Sequence, residues 1–135
     1  MKTFVLVSAL VLSAEVVSAQ DTDPEVAYNN HCRTCHTQNE GDNRLGPNLH
    51  QIIGREAGSI EGYAFSDALA ASGITWDEET LGSWIEDPDS VVVGHKMKPY
   101  PGVTDPETRA AILRALQPQE TLPAQPEGSA DQTDR

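Results

Sequence analysis

The sequence predicts an all-α domain of several short helices joined by long loops, and three observations carry that prediction. Apolar residues recur at helical spacing in segments that open on Asp-Pro, Ser or Thr and close on Gly or Pro. No segment shows the apolar–polar alternation of a half-buried strand. Large side chains are scarce, with 2 Phe, 2 Trp and 3 Tyr in 135 residues. A domain so rich in loop therefore needs a further source of buried surface.

Each element has a local cause. Asp23-Pro24 opens the first helix, with Asp as cap and Pro in the first turn, and the helix runs through Glu25, Val26 and Tyr28. Gln38 to Asn43 is polar loop, Gly46-Pro47-Asn48 is a turn, and Leu49 to Ile53 is a short apolar run closed by Gly54. Ser66 to Ala71 reads as a short helix stopped by Gly73. Thr75 to Glu86 is a clearer one: Thr75 is its expected cap, and Glu78 completes a capping box. Leu81, Trp84 and Ile85 share its apolar face, and Pro88 lies just past its end. Asp89 to Gly102 holds two prolines and two glycines and reads as irregular loop. Thr104 or Asp105, followed by Pro106, opens a last helix with an apolar stripe of Ile112, Leu113 and Leu116.

The ends differ from the middle. Residues 1–19 combine a basic start, an apolar run from Phe4 to Ala14 and a small-residue stretch before Gln20, which predicts a cleaved secretory signal peptide. Glu15 cuts that run short of a membrane span. Residues 20–116 form the one folded domain. Residues 117–135 are rich in Pro, Gln and acids and are expected to be disordered. The formal charge is -12, which excludes nucleic-acid or anionic-lipid binding through bulk charge. Export to a bacterial periplasm, no stable membrane insertion and a monomeric state are the expectations.

The chemistry lies in Cys32-Arg33-Thr34-Cys35-His36. Two thiols at this spacing, with histidine next, form the attachment pattern for c-type haem. A disulfide would explain the pair but not the histidine, and a thioredoxin-like dithiol needs a βαβ context that is missing. One covalent haem c would supply both the redox chemistry and the missing apolar surface. His36 is the proximal candidate ligand. For the opposite face, Met97 is the one methionine that remains beyond Met1, and a thioether favours ferrous iron. His31, His50 and His95 are the rival ligands, and each otherwise reads as an exposed or capping histidine.

Together these motifs resemble the class I cytochromes c, nearest to the mitochondrial and bacterial c2-type members. The resemblance spans roughly residues 24–116 and includes the haem motif, Gly46-Pro47-Asn48-Leu49, Ile53-Gly54-Arg55, Gly73-Ile74-Thr75-Trp76 and Gly94-His95-Lys96-Met97. It implies covalent attachment through Cys32 and Cys35 and axial ligation by His36 and Met97. It implies that the Pro47 carbonyl accepts the proton of the other His36 nitrogen. Trp76 would donate to a haem propionate beside Arg55, and Tyr28 would pack the first helix on Ile112 and Leu116. The chain departs from the family at Phe65, where a propionate-binding tyrosine is frequent, and at Trp84, where a tyrosine often faces the sulfur. It departs also at His95, Ala115 and Lys98-Pro99-Tyr100.

The function so implied is a one-electron carrier without enzymatic activity of its own. It would run between a quinol-oxidising complex such as cytochrome bc1 and a terminal oxidase, reductase or photosynthetic reaction centre. The alternatives are a ligand-binding sensor with displaceable Met97 and the dedicated acceptor subunit of a periplasmic dehydrogenase. Lys96 and Lys98 predict a small, salt-sensitive docking face.

Overall fold

The computed structural model describes residues 23–118. The expected signal peptide and nearly all of the acidic tail lie outside the described residues. The described chain forms α1 (Pro24–His31), α2 (Asp67–Ala70), α3 (Glu78–Glu86), α4 (Pro88–Val91) and α5 (Pro106–Ala115). The domain is all-α: among the described residues the sole β-type pairing is an isolated antiparallel bridge between Glu56 and Thr75.

Caps start the helices where the sequence provides them. The Asp23 carboxylate accepts from the backbone N–H groups of Glu25 and Val26, with Pro24 in the first turn of α1. Ser66 caps α2 by accepting from the Leu69 N–H at 3.1 Å. Asp105 caps α5 by accepting from the Thr108 N–H at 2.8 Å. The first and last helices pack on each other, and α3 packs on both α4 and α5. The core joins Ala27 and Tyr28 of α1, Leu81, Trp84 and Ile85 of α3, and Ala111, Ile112 and Leu116 at the end of the chain. Ile112 is 0% exposed. Ile112→Ala should therefore cost about 2–5 kcal/mol in chemical denaturation, as large-to-small core changes do.

Two segments differ from the sequence reading. Helix α3 starts later, because Asp77 and not Thr75 is its cap. Asp77 accepts from the Thr80 N–H, and the Asp77 N–H donates back to the Thr80 hydroxyl, which completes the capping box. Thr75 cannot cap because its neighbourhood is held extended. The Trp76 N–H donates to the Arg55 carbonyl at 2.9 Å, and the Trp76 carbonyl accepts from the Gly54 N–H at 2.6 Å. The stretch read as loop after Pro88 begins with the single turn α4, in which Pro88 sits at the first helical position and the Val92 N–H closes on its carbonyl.

The capping carboxyls make stability sensitive to acid. Asp77 is held below its ordinary pKa chiefly by the Thr80 backbone N–H, and Asp105 chiefly by the Thr108 hydroxyl. A folded value below the unfolded one stabilises fully above the unfolded pKa of about 3.9. That stabilisation is lost as pH falls through the depressed values. Asn at both positions, which caps without titrating, should flatten the acid limb of the stability curve in melts below about pH 4.

Candidate haem site

The turn after α1 gathers the attachment residues. The N–H groups of Cys35 and His36 both donate to the Cys32 carbonyl, at 3.1 and 2.9 Å. Two free thiols and one imidazole therefore leave a single tight turn. Burial, and then the neighbouring Cys35, push the Cys32 thiol up to about 12. A redox-active dithiol needs the opposite shift, so the pair is poorly suited to thiol–disulfide exchange.

The His36 ring is fixed by its surroundings. Nδ1 lies 2.7 Å from the Pro47 carbonyl oxygen. A carbonyl can only accept, so Nδ1 carries the proton and Nε2 presents a lone pair. Burial holds His36 below the usual imidazole pKa, so it is neutral at neutral pH. No described residue hydrogen-bonds to Nε2. Gly46 makes room for the ring: a Cβ there would sit 2.6 Å from Nδ1 and 2.8 Å from Nε2. The loop that carries Gly46 is pinned from inside. Buried Asn48 donates through both its backbone N–H and its side-chain amide to Asn43 Oδ1, each at 2.9 Å.

Trp76 and Arg55 are brought together by the bridge segment. Arg55 is half-buried and spends its guanidinium on the carbonyls of His50 and Asn48, at 2.9 and 2.8 Å. Its charge has no carboxylate partner among the described residues. The Trp76 indole N–H likewise finds no acceptor among them. A half-buried cation and an unused indole donor, on residues whose backbones hydrogen-bond to each other, suit an acidic group such as a propionate. The Tyr63 hydroxyl, by contrast, is spent on the Leu45 carbonyl at 2.8 Å, and Phe65 packs edge-on against its ring.

Met97 belongs to the same core. It packs against the buried cluster, and its sulfur accepts from the Trp84 indole N–H at 3.2 Å. Thioether sulfur has two lone pairs, so one remains free for a metal. The Trp84 ring also stands edge-on to Trp76, with centroids 5.3 Å apart. Tyr100 closes the following loop by donating to the Ile85 carbonyl at 2.7 Å, which also takes the Val103 N–H.

The rivals to Met97 fare differently. His50 Nδ1 lies 3.3 Å from the Gln38 carbonyl. His95 corrects the expectation of an exposed or capping histidine: its side chain is 3% exposed. Both of its ring nitrogens are engaged, Nδ1 by the Met97 N–H at 3.0 Å and Nε2 by Asp89 at 3.2 Å, so it has no lone pair to give. Its burial and the role of Asp89 carried no signal in the sequence, since the partners come from α3 and α4. The lysine face is also less free than expected. Lys98 pairs with Asp89 at 3.2 Å, and Lys96 donates to the carbonyls of Ala64 and Phe65.

These residues fit a covalent haem c: adjacent thiols, an oriented neutral imidazole, an oriented sulfur and an unmatched cation. No family model matches the chain. It is 42% identical over 85 residues to cytochrome c2 iso-2 of Magnetospirillum fulvum, a match covering 63% of this chain and 88% of that protein. It is 37% identical over 113 residues to cytochrome c2 of Rhodomicrobium vannielii, covering 81% of this chain and 87% of that one. Among solved structures, cytochrome cH from Methylobacterium extorquens superposes with a TM-score of 0.63 at 42% identity, covering 69% of this chain and 92% of that chain. With this fold, this turn and these relatives, the chain belongs to the class I c-type cytochromes, electron-transfer proteins built around one covalent haem c.

Proposed function

We propose that this cytochrome is a periplasmic one-electron carrier in which Cys32 and Cys35 hold the haem and His36 and Met97 fill both axial positions. One observation supports this above the rest: each proposed ligand is oriented through its non-ligating side. Pro47 holds the far nitrogen of His36, and Trp84 holds one lone pair of the Met97 sulfur. Such partners fix ring and sulfur orientation before the metal is bound. The haem supplies the one-electron couple when bound. Around it, Trp76 and Arg55 would hold a propionate, and the apolar α1–α5 pair with Tyr28 would help to exclude water.

Two protein ligands on the iron would leave no place for a substrate, which favours a carrier over an enzyme. The electron would come from a quinol-oxidising complex such as cytochrome bc1 and pass to a terminal oxidase, reductase or reaction centre. The leader-like start of the sequence and the bacterial c2 relatives support export. Among the described residues no helix is long and apolar enough to cross a membrane.

The test is an absorption spectrum of the purified oxidised holoprotein, carried into the far red, followed by reduction under carbon monoxide. A weak sulfur-to-iron band and a reduced protein inert to carbon monoxide are expected. A missing far-red band with rapid carbon monoxide binding would displace the carrier in favour of a ligand-binding haem protein.

A further inference from the structure

We propose that Asp89 and His95 form a clamp on the backbone of Met97 that keeps its sulfur seated and so sets how well the haem site resists foreign ligands. The inference rests on Met97 as axial ligand and concerns what holds it there.

The segment around Met97 has little regular structure of its own. Between Val92 and Val103 the one backbone–backbone bond among the described residues runs from the Lys98 N–H to the Lys96 carbonyl. The Met97 N–H is taken instead by a side chain, His95 Nδ1, at 3.0 Å. Because Nδ1 accepts there, the ring proton sits on Nε2 and donates to Asp89 Oδ1 at 3.2 Å. The same carboxylate oxygen receives the Lys98 ammonium at 3.2 Å. One atom on α4 thus ties down residues on both sides of Met97. The other end of Met97 is held by Trp84, whose indole donates to the sulfur at 3.2 Å. The Trp84 and His95 rings meet edge-on with centroids 5.1 Å apart, so the two restraints brace each other.

The imidazole is buried, so water does not readily replace its bonds. Removing the acceptor at Nδ1 orphans the Met97 N–H and releases the backbone that carries the sulfur. A site that opens more often binds an outside ligand more tightly in proportion to the open fraction.

The experiment titrates the ferric holoprotein with imidazole while following the far-red band and the reduction potential. His95→Asn keeps a side-chain acceptor near the position of Nδ1. His95→Gln reaches toward Asp89 but abandons the Met97 N–H. Imidazole should bind His95→Gln about tenfold more tightly than the parent, the scale of one lost buried hydrogen bond. The far-red band of that variant should weaken, while His95→Asn, which keeps the acceptor for the Met97 N–H but loses the bond to Asp89, should fall between it and the parent. Asp89→Ala, which frees the ring but leaves Nδ1 on the Met97 N–H, should likewise fall between His95→Gln and the parent. Parent-like imidazole affinity and an intact band in His95→Gln overturn the clamp. Equal shifts in the Asn and Gln variants also overturn it, because ring packing rather than the acceptor would then be responsible. A parent protein that lacks the far-red band overturns the ligation itself, a separate failure seen before any variant is made.

Discussion

Replacing Met97 with leucine or alanine should abolish the far-red band, let the reduced protein bind carbon monoxide rapidly and lower the reduction potential. Under the proposed ligation the Met97 sulfur is the ligand that pairs with His36. His95 cannot stand in for it, since both of its ring nitrogens are already committed. Axial ligand identity moves haem potentials over a range of about 0.8 V, and loss of a thioether shifts toward the lower end. Leucine is the more informative variant because it keeps most of the packed volume while removing the lone pair. It also leaves the buried Trp84 N–H without its acceptor, a cost of about 1–3 kcal/mol that should appear in denaturation. A leucine variant with an unchanged far-red band and potential would remove Met97 from the iron.

Where structure was legible in the sequence, the cause was local. Asp23, Ser66 and Asp105 each cap a helix through bonds that span two or three residues, and a short window contains everything needed. The attachment turn is legible for the same reason, since Cys32 to His36 is one turn of chain. The misreadings have distant causes. Thr75 resembles a helix cap until the strand-like pairing of Trp76 with Gly54 and Arg55, some twenty residues earlier, holds it extended. His95 looks like a surface histidine until α3 and α4 supply Trp84 and Asp89 around it. The single turn of α4 hides among prolines and glycines because it is too short to show a helical period. Family resemblance named residues on both sides of the haem, but it could not say what a histidine at position 95 would do. That follows only from which atoms surround it.

Gly46→Ala should displace His36 and lower both haem retention and stability, although it adds only one methyl group. The new Cβ would lie within 2.8 Å of both ring nitrogens, closer than packed atoms tolerate. Neither side has room to yield. The Gly46 backbone is fixed by its own N–H to the Cys35 carbonyl at 2.8 Å and by its carbonyl to the Arg44 N–H at 2.9 Å. The ring is fixed by Pro47 at 2.7 Å. Overpacking of this kind costs about 1–3 kcal/mol. Losing the Pro47 bond would add about 1 kcal/mol and release the ring orientation on which Nε2 depends. Gly82→Ala is the matched control. That glycine lies in α3, where a Cβ would meet only Leu113 Cδ1 at an ordinary 3.6 Å. Alanine there should stabilise by up to about 1 kcal/mol through helix propensity. The measurements are c-type α-band absorbance per protein and the midpoint of chemical denaturation. The two substitutions should move the midpoint in opposite directions, and only Gly46→Ala should lower the α-band yield. If Gly46→Ala behaves like Gly82→Ala, the close approach at Gly46 is not what seats the imidazole, and the orientation of His36 must come from Pro47 alone.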